Sequence, residues 1–93
     1  LHWHDQGVAQ SYIYHAMNDK NLSSIKKIEL FNRAIALNES SVEARLGLAA
    51  AYENSGFEAM AKNEYEIAIL LTSPSDIGVK KMIAHKIDKI QRK

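Results

Sequence analysis

The chain reads as an all-α domain of five helices. Apolar residues recur at helical spacing almost throughout, and no stretch alternates with period two for long enough to make a strand. Four Gly and one Pro in 93 residues leave too few turn formers for a β-sandwich. Each helix has its own stripe. Val8, Tyr12 and Ala16, with Ala9 and Ile13, mark the first; Ile25, Ile28, Phe31 and Ile35, with Ala34, mark the second. Val42, Leu46 and Ala49, with Leu48 and Tyr52, mark the third. Ala61, Tyr65, Ala68 and Ile69 mark the fourth, and Ile83, Ile87 and Ile90 the fifth.

The breaks between stripes carry capping chemistry. Asn21-Leu22-Ser23-Ser24 offers a hydroxyl to the free N–H groups of the second helix. Ser40 and Glu43 have the spacing of a capping box before the third. Asn54-Ser55-Gly56 ends the third helix with a Gly that can take positive φ. Ser73-Pro74-Ser75-Asp76 stops the fourth helix and caps the fifth. Connections of a few residues make consecutive helices antiparallel neighbours.

A mass of 10.5 kDa allows one small domain that buries about 60–65% of its unfolded surface. Little room is left for an enclosed active site. The absence of cysteine excludes disulfides and thiolate metal sites. Net charge is +1 but uneven: residues 1–75 hold six basic and nine acidic side chains, residues 76–93 six basic and two acidic. No apolar run approaches the ~18 residues of a membrane span. No signal peptide is recognisable, which points to the cytoplasm. The first residue is Leu rather than Met, which a fragment or a trimmed chain would explain.

A shift of 34 residues superposes Val8 on Val42, Ala16 on Ala50, Ala34 on Ala68, Ile35 on Ile69, Leu37 on Leu71 and Ser41 on Ser75. Tyr14 with Leu48, Asp19 with Glu53, and Phe31 with Tyr65 are similar pairs in the same register. The matches fall on the apolar stripes. In residues 42–75, Leu48, Tyr52, Gly56, Ala61, Tyr65 and Ala68 stand where large, aromatic, turn and small residues recur in the tetratricopeptide repeat family, which this segment resembles. Arg45 replaces the usual aromatic and Ala49 the usual Gly; Pro74 falls one residue late. Residues 8–41 match less well: Tyr14, Phe31 and Ala34 fit, but Asn18, Leu22 and Lys27 do not. Met82 and Ala84 continue the register from Leu48 and Ala50 into the fifth helix.

That resemblance implies helix–turn–helix repeats stacked as a short right-handed α-solenoid. The segments are 1–7, a leader or the remnant of a preceding repeat; 8–41, repeat 1; 42–75, repeat 2; and 76–93, a capping helix. It also implies a concave groove lined by the first helix of each repeat: Ala9, Tyr12, Ala16, Asp19 and Lys20, then Glu43, Leu46, Gly47, Ala50, Glu53 and Asn54. The small residues Ala16, Gly47 and Ala50 would leave room for a partner. Tyr12, Ala16, Leu46, Gly47 and Ala50 do not resemble the Lys, Arg and Asn of family members that clamp a C-terminal carboxylate.

No catalytic or cofactor-binding constellation stands out. His2 and His4 beside Asp5 have a spacing that can hold a metal, but a frayed or solvated terminus is the favoured reading. Trp3 calls for a neighbour. His15 reads as a packing or edge residue and His85 as exposed; the serines lie in turns, and no Gly-rich phosphate loop occurs. Lys80, Lys81, Lys86, Lys89, Arg92 and Lys93 surround the last apolar seam. They suit a solvated cap helix, with electrostatic binding to nucleic acid or an anionic membrane as the alternative. The expected function is a non-enzymatic scaffold or adaptor that binds another protein through an apolar or mildly basic peptide or helix. No cofactor, metal or small-molecule substrate is expected. Self-association is the second possibility.

Overall fold

The computed structural model describes residues 2–93, with side chains from Asp5 onward. The expectations for Leu1, Trp3 and the His2–His4 pair lie outside the described residues and side chains. Every element among the described residues is a helix: α1 (His2–Asn18), α2 (Ser24–Leu37), α3 (Val42–Asn54), α4 (Glu58–Leu71) and α5 (Ile77–Gln91). None is long and apolar enough to cross a membrane. Helix α1 begins well before Val8 and takes in residues 2–7.

Local chemistry sets most boundaries. Ser23 caps α2 by accepting from Lys26 N, and Asp76 caps α5 by accepting from Val79 N. Gly56 follows α3 at φ 85°, a conformation that a Cβ would strain. The cap of α3 differs from expectation. Ser41, not Ser40, accepts from Ala44 N, at 3.1 Å. Ser40 is held instead by its own N–H donating to Asn38 Oδ1. This Asx turn moves the cap one residue on and leaves Glu43 out of any capping box.

Consecutive helices pack on one another, and α1 also touches α3. The molecule measures 40 × 33 × 18 Å. It is flattened along one axis, with its smallest extent less than half its largest. Helices α2 and α4 span positions 34 residues apart at both ends. Their aromatic and small residues, Phe31, Ala34, Tyr65 and Ala68, are all buried, at 3% exposure or less. The core extends through Ile13 of α1 and Leu48 of α3 to Ile83 of α5. Burying a side chain of this size contributes about 1.5–3 kcal/mol.

Three apolar positions depart from the sequence reading. Ile25, placed on the α2 stripe, is exposed, and Leu30 is buried in its place. Tyr14 shares its register with the buried Leu48 yet is 70% exposed. Leu48 lies on a helix flanked by both α2 and α4, whereas no helix among the described residues packs on the corresponding flank of α1. Met82, also in register with Leu48, is 44% exposed. Helix α5 contributes its Ile83–Ile87–Ile90 seam to the core and packs on α4, so the face bearing Met82 packs against no helix among the described residues.

Candidate functional site

Six of the groove residues expected from the sequence line two hollows, one on each side of α3, and Ala9, Tyr12, Asp19, Lys20 and Glu53 line neither. Between α1 and α3 lies a hollow of about 220 Å³ that includes Ala16, Gly47, Ala50 and Asn54. Met17, Lys27, Phe31 and Ala51 complete it. Between α3 and α5 lies a larger cleft of about 380 Å³. Glu43 and Leu46 line it from α3, and Asp76, Val79 and Met82 from the α5 side. Val42 and the end of α4, from Leu71 to Ser73, form the rest.

Several expected groove residues have structural work instead. Ala9 and Ala16 are buried at 1% and 0%, so they form the close α1 packing rather than a free surface. Gly47 does not leave room for a partner, because a Cβ there would overlap the ring of Phe31. The aromatic ring of α2 already fills the notch that Gly47 opens in α3. Glu53 accepts a hydrogen bond of 2.5 Å from the Tyr65 hydroxyl. Burial first, and then this bond to a carboxylate, pushes the Tyr65 phenol well above its ordinary value.

Asp19 is also occupied locally. It accepts from Asn21 N at 2.9 Å and pairs with His15 Nε2 at 3.3 Å. The Asn21 hydrogen bond, helped by His15 and by the charge of Lys27, holds its carboxyl below the usual value. Tyr12 is half-buried, and the Arg33 guanidinium lies 5.9 Å from its ring centroid, a cation–π contact. Lys20 is exposed and lines neither hollow.

The free surface that remains is Leu46, Ala50, Asn54 and Glu43, joined by residues the sequence reading omitted. Met17 is 58% exposed beside Ala16, and Lys27 lays its stem along the same hollow. Lys27 is in register with the buried Ala61, so the α1–α3 hollow accommodates a side chain that close packing in the second hairpin would refuse. Val79 and Met82 could have been found from their place beside the Ile83 seam. Their partnership with Leu46 depends on where α5 rests.

No group of three or more His, Asp or Glu side chains among the described residues could hold a metal ion. His15 is paired with Asp19 on the exposed side of α1, and His85 is exposed. No protein-family model matches the chain, and neither the curated proteins nor the solved structures contain a match.

Proposed function

We propose that the chain is a protein-interaction module of the tetratricopeptide kind. In this reading, two helix–turn–helix repeats, α1/α2 and α3/α4, stack as a short right-handed solenoid and α5 closes it. A peptide or helix of another protein binds across the face that α1, α3 and α5 share. The observation that carries the reading is the pair of hollows flanking α3 on that face, with Leu46 and the exposed Ala50 between them. The 34-residue offset of α2 and α4, with matched buried rings and alanines, supports the repeat architecture. The module performs no chemistry of its own.

The test is selection of peptides from a random display library on the immobilised protein, followed by titration against variants. Ala50→Arg and Leu46→Arg should each weaken the selected peptides by about tenfold or more. Ala59→Arg, on the exposed side of α4, should leave them unchanged. Peptides indifferent to both groove variants would remove the reading.

Self-association is the second reading, favoured by the bare Tyr14 on the open flank of α1. It requires a mass that rises with concentration in light scattering and returns to the monomer value on Tyr14→Lys.

A further inference from the structure

The two hollows differ in a way that specifies a partner. Helix α1 touches α3 directly, and the space between them is only about 220 Å³. Helix α5 packs on α4 and stands off α3, which opens the cleft of about 380 Å³. The second cleft is both the larger and the more open of the two. Its walls are apolar: Val42 and Leu46 on one side, Val79 and Met82 on the other. Of these, Val42, Leu46 and Val79 also pack against the core, so the walls are fixed rather than loose surface side chains.

The charges at this cleft have one sign. Glu43 and Asp76 line it, and no Lys, Arg or His does. This is notable because α5 is the most basic segment of the chain. Lys80 is turned away, its Nζ donating to Ile69 O at 3.2 Å. Lys81, Lys86 and Lys89 are exposed elsewhere on the helix. Glu43 makes no ion pair among the described residues, and Asp76 is held in place by accepting from Val79 N. Each carboxylate stands at the start of a helix, whose dipole offsets about half a unit charge. The cleft therefore keeps a net negative character above an apolar floor.

Resting on the interaction-module reading, we propose that the α3–α5 cleft receives a large apolar side chain flanked by lysine or arginine on a partner polypeptide. The apolar side chain displaces water from Leu46 and Met82, and the flanking cations pair with Glu43 and Asp76. An acidic segment of the same shape is refused, because its carboxylates would meet like charges while losing water.

The test uses two synthetic helical peptides of equal length, one of leucine and lysine and its twin of leucine and glutamate. Binding is followed by amide shifts in two-dimensional NMR of the isotope-labelled chain. The lysine peptide should shift the amides of Val42, Leu46, Val79 and Met82, with the glutamate twin at least about tenfold weaker. Glu43→Lys combined with Asp76→Asn, which keeps a capping side chain, should abolish or reverse that preference. Equal shifts by both peptides, or a preference that survives the double variant, would overturn the proposal. Shifts confined to Ala16, Ala50 and Asn54 would also overturn it while leaving the interaction-module reading intact. If library-selected peptides are also indifferent to Ala50→Arg and Leu46→Arg, both fall.

Discussion

Phe31 and Tyr65 stand 34 residues apart, on α2 and α4, and both rings are buried against a neighbouring helix. Around them the two hairpins diverge. In the second, the ring carries a hydroxyl that donates to Glu53, and Arg45 Nη1 pairs with Glu64 Oε1 across the hairpin at 2.9 Å. In the first, Phe31 has no hydroxyl. Asp19, in register with Glu53, turns to Asn21 and His15. Ser11 and Leu30 stand where the second hairpin has Arg45 and Glu64, and Leu30 is buried. The first hairpin closes on apolar contact and the Arg33–Tyr12 cation–π contact; the second has two part-buried polar links. The difference teaches that the shared feature is a buried ring with a buried alanine three residues on, and that polar pairing is an addition to it.

The comparison can be broken or sharpened by four experiments. The largest effect belongs to Leu48→Ala, which should cost about 2–5 kcal/mol in urea unfolding as a cavity opens between two flanking helices. Tyr14→Ala, in the same register but exposed, should stay within about 0.5 kcal/mol. Equal losses would show that α1 and α3 are flanked alike. Next comes Gly47→Ala. It gains helix propensity of about 1 kcal/mol, yet should still destabilise by about 1–3 kcal/mol because Phe31 occupies the space. A Phe31→Leu background should return much of that loss, and a purely additive double variant would remove Phe31 as the cause.

Arg45→Leu leaves Glu64, whose side chain is 12% exposed, without its partner and should cost about 1–3 kcal/mol. Arg45→Leu with Glu64→Leu, which copies Leu30 of the first hairpin, should recover most of this in a thermal melt. A double variant as weak as the single one would mean that the pair is a net contributor.

The smallest effect is that of Tyr65→Phe, which copies Phe31. Losing a hydrogen bond to a carboxylate costs about 1–2 kcal/mol near neutral pH. Its sign in alkali is opposite. The phenol is raised in the folded chain and ionises near pH ~10 in the unfolded one. Stability from this group is therefore intact below about pH 10 and is lost as pH rises toward the folded value. The melting temperature should fall less steeply above about pH 10 in Tyr65→Phe than in the parent. Parallel pH profiles would show that Tyr65 is not shielded.

Features governed by a few adjacent residues were legible in the sequence. Ser23, Asp76 and Gly56 act where their chemistry requires, because a cap or a left-handed turn needs no distant partner. Phe31, Ala34, Tyr65 and Ala68 were legible because they lie on the apolar stripes of α2 and α4, two helices offset by 34 residues. Ser40 and Ser41 differ by one position, and Asn38 in the preceding turn decides between them. Tyr14 and Met82 failed for a tertiary reason, since identical register buries a side chain only where a second helix arrives. Gly47 and Ala50 line the α1–α3 hollow, but the notch at Gly47 is filled from α2, and the α3–α5 cleft depends on where α5 rests, which no local sequence signal gives.

Almost every packed pair of helices here is adjacent in the chain, with α1 and α3 the one exception. Such a topology closes only short loops, so folding should be quick and need no distant segment to be found first. It also means that unravelling can proceed from an end without disturbing the middle. Helix α5 leans on a single neighbour and contributes one fully sheltered residue, Ile83. Its amides should exchange with deuterium ahead of those in α3, and a partner seated between the two helices would slow that exchange.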